Sequence, residues 1–246
     1  MRIAIDTHTH SVASGHAYST VEEMAEGARR AGLKGFVLTD HGPALAGLPH
    51  LYHFGNLRIL PKRMNGVRFY SGVEANIMNT EGELDLPARL LCRLDFVMAG
   101  LHDECFAPRA IDENTKALTA ALRSPLVDAV SHPGNPQYPI DAASVVATAK
   151  ENGKAIEINA GSFRVRKGSE GNCLEIALLC ARMDALIVCG SDAHYWRDVG
   201  RLSEAIALLK KAGVPRELVI NAQVRAFEDF IARRRAERGA LLKAES

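Results

Sequence analysis

Residues 3–10 read Ile3-Ala4-Ile5-Asp6-Thr7-His8-Thr9-His10. The apolar opening, residues 3–5, has the composition of a buried strand, and it runs directly into two histidines spaced by one residue. The same order recurs down the chain. Phe36-Val37-Leu38 precedes Thr39-Asp40-His41-Gly42, and VRFYSGV over 67–73 precedes Glu74. FVMA over 96–99 precedes Gly100-Leu101-His102, and residues 127–130 precede Ser131-His132-Pro133-Gly134. AIEI over 155–158 precedes Asn159, and ALIVC over 185–189 precedes Gly190-Ser191-Asp192-Ala193-His194. Stretches of helical period lie between these runs, predicting helices over 20–31, 114–123, 142–151, 172–183, 202–212 and 224–235. Ser19 or Thr20 caps the first of them, and Gly32 follows its end. Such alternation predicts a parallel sheet covered by helices. The length, 246 residues, suits one α/β domain over 1–246 rather than two small ones.

Outward from the strands, the chemistry gathers at one end. Of the nine histidines, seven (His8, His10, His16, His41, His102, His132 and His194) fall at strand C-termini or just beyond. In α/β barrels that end carries active sites. Each fragment alone has a plainer reading: an HxH on an edge strand, a DHG or SHPG turn, a surface acid. Their joint placement points to a metal site, because imidazole and carboxylate together suit zinc, iron or manganese. With Glu74 and Asp192 there are nine candidate ligands, enough for two or three ions. His50 and His53 fall inside 50–61, which has the look of an insertion, and are set aside as a loop lid or a surface pair. Arg233-Arg234-Arg235 is expected to be the solvated end of the last helix.

Composition narrows the function. Lys+Arg (30) nearly cancels Asp+Glu (29), so no long nucleic acid is expected. No apolar run is long enough to span a bilayer, and the N-terminus lacks a signal-peptide core. Five cysteines without a CxxC pair fit reduced thiols and a cytoplasmic location. Oligomeric state is not legible.

The ordered motifs DTHTH, TDHG, GVE, GLH, SHPG and GSDAH resemble the polymerase-and-histidinol-phosphatase (PHP) superfamily. The match is closer still to its YcdX-type phosphatase branch, through HAYST (16–20), LTDHGP (38–43), EANI (74–77), VSHPGNP (130–136) and RKGSEGNC (166–173). The resemblance runs from Asp6 to about Phe230. It implies a distorted (βα)7 TIM-like barrel of PHP fold and a site for three divalent ions, zinc first, with manganese or iron as alternatives. Carried over, one ion takes His8, His10, Glu74 and Asp192. A second shares Glu74 and takes His102 and His132. The third takes His16, His41 and His194. Two neighbourhoods depart from the pattern: Asp103-Glu104 stands after His102 in place of Glu-Pro, and Ala193 stands in place of a serine.

The expected reaction is hydrolysis of a small phosphomonoester by a metal-activated hydroxide, with Glu74 and Asp192 at its centre. The alternative is a phosphodiesterase or nuclease of the same family acting on short nucleotides. Asp6 and Asp40 are read as acceptors that orient imidazole N–H groups, with proton transfer as a second role for either. Arg166 and Lys167 are candidates to grip the phosphate or the leaving group. Amidohydrolase chemistry is disfavoured, since no lysine ends a strand.

Overall fold

The computed structural model describes residues 1–45 and 47–244. In chain order the elements are β1 (Ile5–Thr9), α1 (Val21–Arg30), β2 (Gly35–Leu38), α2 (Leu51–Asn56), β3 (Arg63–Met64) and β4 (Val67–Asn76). Next come α3 (Ala88–Leu91), β5 (Phe96–Gly100), α4 (Ile111–Arg123), β6 (Ala129–Val130), α5 (Ala142–Glu151) and β7 (Ala155–Asn159). The chain finishes with α6 (Ser162–Val165), α7 (Ser169–Met183), β8 (Leu186–Gly190), α8 (Ser203–Lys211) and α9 (Val224–Ala244). Seven strands pair in parallel in the order β1-β2-β4-β5-β6-β7-β8, and β3 pairs antiparallel with β4. This is the expected (βα)7 barrel, nearly closed.

The seam lies between β1 and β8. At the C-terminal end it is stitched by the backbone: Asp192 N donates to His8 O at 2.9 Å and His10 N to Ala193 O at 2.9 Å. Nearer the base a side chain does the work of a ladder. Asn221 Nδ2 donates to Ile5 O (2.8 Å) and Cys189 O (2.7 Å), and its Oδ1 accepts from Cys189 N at 3.1 Å. One fully buried amide thereby satisfies backbone groups of both edge strands.

Strand alternation divides the lumen into two levels. In the N-terminal half Ile5, Val37, Tyr70, Phe96, Met98 and Val188 form one apolar cluster, closed from below by Phe227, Phe230 and Ile231 of α9. Continuing the same parity towards the C-terminal end brings Glu74 and Asn76 on β4, and Glu157 and Asn159 on β7, into the lumen. Strict alternation from Ile5 would leave His8 and His10 facing outward. A register shift between Asp6 and Thr9, with Thr9 opposite Leu38, turns them inward.

Three expectations are corrected. The first strand holds DTHT within itself instead of ending before it. The 50–61 segment forms α2 and a short 3-10 turn, and the hairpin that follows it turns on Asn65-Gly66, both at positive φ (48° and 80°), as a tight two-residue turn requires. The triple arginine is not a solvated helix end. α9 runs on through it, Arg234 is buried and pairs with Asp128 (3.1 Å), and Arg235 pairs with Asp95 (2.6 Å). Arg238, also buried, joins Asp128 from the next turn. Buried acids at the barrel base draw these cations in, because a carboxylate removed from water needs partners.

Candidate metal centre

At the C-terminal mouth the candidate ligands converge on Glu74, a fully buried carboxylate on β4. Its Oε2 lies 3.1 Å from His8 Nε2, 3.5 Å from His10 Nε2 and 3.1 Å from His41 Nδ1. Its Oε1 lies 2.7 Å from His132 Nε2 and 3.4 Å from His102 Nε2. Asp192 Oδ1 faces His8 Nε2 (3.5 Å), His10 Nε2 (3.3 Å) and His194 Nδ1 (3.6 Å). The more exposed His16 meets His194, Nε2 to Nε2, at 2.8 Å. All nine sequence candidates are thus in one place. Sets of ligand atoms close enough to share an ion are His8, His10 and Glu74; His10, His41 and His194; and His41, Glu74 and His102. His10 and His41 each belong to two of these sets, so the grouping cuts across the three-way partition that the resemblance implies.

Outer partners settle which imidazole nitrogen is bare. His8 Nδ1 donates to Glu157 Oε1 at 2.8 Å. His102 Nδ1 donates to Asn76 Oδ1 at 2.7 Å, since the Asn76 amide nitrogen is committed to Gly42 O and Asp85. Ser14 gives its hydroxyl hydrogen to Asp40 Oδ1 (2.8 Å) and so accepts from His10 Nδ1 at 3.0 Å. In each case Nδ1 carries a hydrogen to its outer partner, which leaves Nε2 as the nitrogen that can offer a lone pair to a cation. His8 Nε2, His10 Nε2, His41 Nδ1, His102 Nε2 and both oxygens of Glu74 are buried without a hydrogen-bond partner. Buried polar atoms are ordinarily satisfied. Six such atoms aimed at common points fit a divalent cation, and the donor set of imidazole and carboxylate suits zinc, iron or manganese.

Electrostatics distinguish the ligands. Burial pushes the Glu74 carboxyl up, but His8, His102, His41 and His132 outweigh it and hold the group well below its ordinary range. Asp192 is lowered in the same way, against burial, by His8 and Arg166. Burial, then the neighbouring His194 and His41, lowers His10 well below an ordinary imidazole. His132 falls to about 4, through burial and then Arg166. Neutral imidazoles are the form that donates a lone pair. His8 moves the other way: Glu157, Glu74 and Asp192 overcome its burial and raise it well above 6.5. The same three carboxylates attract any cation placed there.

Other residues are sorted by the geometry. Arg166, at the end of α6, reaches into the cleft, with Nη1 3.0 Å from Asp192 Oδ2 and 3.1 Å from Ser162 Oγ. Lys167 next to it is exposed and does not line the cleft. Asp40 lies behind His10 with both oxygens engaged by Ser11, Ser14 and His53. Asp6 orients no imidazole; it accepts from the backbone N–H of Ser191 (2.9 Å), Gly200 (2.8 Å) and His8 (3.3 Å). Glu157 was not among the sequence candidates, yet it holds His8 Nδ1 and accepts from His132 N at 2.7 Å. Its signal was a carboxylate on the inward parity of an otherwise apolar strand. Gly190 makes room for it, since a Cβ there would strike both Glu157 and His8. His132 and Asp192 both sit at positive φ (33° and 57°), strain of the kind that collects at functional sites. The mouth is a cleft of about 240 Å³ lined by His16, His41, His102, His194, Asp192 and Arg166, with Leu45, Leu48, Asp103 and Glu104 on its rim.

A nearly closed parallel barrel with this cluster at its C-terminal mouth defines a metal-dependent hydrolase architecture. The model of the PHP domain family matches residues 6–161, and the chain belongs to that family. It is 52% identical to a probable phosphatase of Acetivibrio thermocellus, over 96% of this chain and 98% of that one. It is 46% identical to a probable phosphatase of Shewanella amazonensis, over 95% and 94%. Among solved structures it resembles the histidinol phosphate phosphatase of Lactococcus lactis, which was solved with zinc, L-histidinol and phosphate. That likeness has a TM-score of 0.65 at 17% identity and covers 87% of this chain and 95% of the other.

Proposed function

We propose that this protein is a phosphatase that hydrolyses small phosphomonoesters at a cluster of three divalent ions, with zinc the first candidate. The observation that carries the reading is the set of buried, partnerless ligand atoms around Glu74. His8, His10, Glu74 and Asp192 would hold one ion, Glu74 with His102 and His132 a second, and His16, His41 and His194 the third. Bound there, such ions supply charge neutralisation for phosphoryl oxygens and acidify a water to a nucleophile. The chain's own residues do the rest. Glu74 presents one oxygen to each side of the cluster and so spaces its two halves. Glu157, Asn76 and Ser14 keep the imidazoles in the ligating tautomer. Arg166, held by Asp192 and Ser162, offers a guanidinium to the phosphate.

The small cleft and its acidic rim, Asp103 and Glu104, support a compact monoester over a polyanionic nucleic-acid strand. Cys105, Cys173, Cys180 and Cys189 carry thiols. No helix among the described residues is long and apolar enough to cross a membrane. We place the protein in the cytoplasm on the thiols.

The test is elemental analysis of purified protein together with phosphate release from an aryl phosphate, before and after chelation. The expected result is two to three ions per chain and activity that chelation abolishes and zinc, manganese or iron restores. A full metal complement with activity only on diesters would transfer the site to the phosphodiesterase reading. Failure to bind metal after reconstitution would overturn the site.

A further inference from the structure

The segment carrying α2 supplies no candidate ligand, yet His53 is neither lid nor surface pair: it reaches the metal centre's support. We infer that His53 is a positioning residue for the cleft, acting through Asp40 and Ser14 on His10; the inference rests on the metal reading above. His53 Nε2 donates to Asp40 Oδ2 at 3.0 Å. Asp40 is fully buried and takes three further hydrogen bonds: Ser11 N at 2.6 Å and Ser14 Oγ at 2.8 Å on Oδ1, and Ser11 Oγ at 2.8 Å on Oδ2. Ser14 then accepts from His10 Nδ1 at 3.0 Å and from His41 N at 3.2 Å. One unbroken chain therefore runs from α2 to a candidate ligand ring and to the backbone of another.

The direction of each bond gives His53 its weight. A serine hydroxyl has one hydrogen, and Ser14 spends it on Asp40, which frees its lone pairs for His10 and His41. That orientation lasts only while Asp40 is held where its Oδ1 can accept from Ser14. Three of its four donors come from the 11–14 turn itself, so they move with His10. His53 is the donor that ties Asp40 to a different part of the fold. His53 is not needed to seat its own helix. Phe54 and Leu57 are buried beneath that segment, whereas the His53 side chain is 22% exposed. His50, at the start of the same helix, serves as an internal control: its Nδ1 accepts from Tyr52 N at 3.2 Å and caps α2 only.

The experiment compares full-length H53A, H53Q and H50A with the unaltered chain. Zinc affinity is read by competition with a chromogenic chelator, thermal melting is read on the zinc-free protein, and kcat and KM are read on an aryl phosphate. H53A should lose about 10–100-fold in zinc affinity, with the loss in turnover falling on kcat and KM held within about twofold. H53Q should recover most of both, since its amide nitrogen can still donate to Asp40. H50A should match the unaltered chain in zinc affinity. Zinc binding unchanged in H53A, or H50A losing as much as H53A, overturns the inference and reduces His53 to a helix contact. An unaltered chain that binds no zinc overturns the metal reading itself and this inference with it, so the two failures are distinguishable.

Discussion

At the scale of single residues, the site depends on which atom of each ring is left bare. His8 shows the principle. Glu157 accepts its Nδ1 hydrogen and at the same time the backbone N–H of His132. A glutamine at 157 has the same shape but one acceptor oxygen, so it can serve His8 or His132 and must turn an amide hydrogen toward the other. Glu157→Gln should therefore lower zinc affinity about 10–100-fold, measured by chelator competition, and also lower the melting temperature of the zinc-free protein, measured by calorimetry, because one buried donor loses its acceptor. Unchanged affinity would deny Glu157 its orienting role. The histidines were legible as candidates because they cluster after strands. Glu157 was harder to read, because a carboxylate within AIEIN declares its direction only once the strand's parity is known. His53 was harder still, since nothing in HLYHF indicates that its second histidine turns back to Asp40.

At the scale of elements, order and type were readable but closure was not. Each strand was visible as an apolar run, and the Thr20 cap was legible, while the structure adds Glu23 as its partner in a capping box on α1. Asn65-Gly66 is likewise a hairpin signal in the sequence itself. What local pattern cannot express is the seam between β1 and β8, where Asn221 replaces a ladder. Asn221→Ala removes three buried hydrogen bonds and leaves backbone groups of Ile5 and Cys189 unsatisfied. It should destabilise the fold by about 3 kcal/mol in urea unfolding. A loss under about 0.5 kcal/mol would mean that the seam is held elsewhere.

The base of the barrel makes a prediction of the same kind with a sign. Lys154 Nζ, donating to Ser124 O and Val127 O, is pushed from 10.5 down to about 7 by burial and then by Arg234. Between those values the unfolded chain binds the proton that the folded chain has released. Stability should therefore rise with pH from about 7 towards 10, against any loss from other groups. Lys154→Met should flatten that rise in denaturant titrations across the window; an identical slope in the variant would refute it.

At the scale of the whole molecule, the barrel brings together at one mouth residues separated by up to 186 positions, from His8 to His194. The cluster assembles its carboxylates and imidazoles only when the barrel is folded, so ligand binding and folding are linked. Zinc at 100 times its dissociation constant should stabilise the chain by about 2.7 kcal/mol, seen as a higher melting temperature that a chelator reverses. No zinc-dependent shift would argue against a site formed in the folded state.

The sequence by itself determined the alternation of strands and helices, the end of the barrel that carries chemistry, and the identity of the residues offered there. It could do so because strand residues are read by local apolarity, and because strand C-termini in a parallel barrel all point the same way. Only the tertiary structure decided which of those side chains meet. The register shift in β1 that turns His8 and His10 inward depends on pairing with β2. The burial of Arg234 and Arg238 depends on Asp128, more than a hundred residues earlier. The tautomers depend on partners such as Glu157, 149 positions from His8. Contacts of that range are set by strand parity and packing across the whole barrel, which no local window of sequence contains.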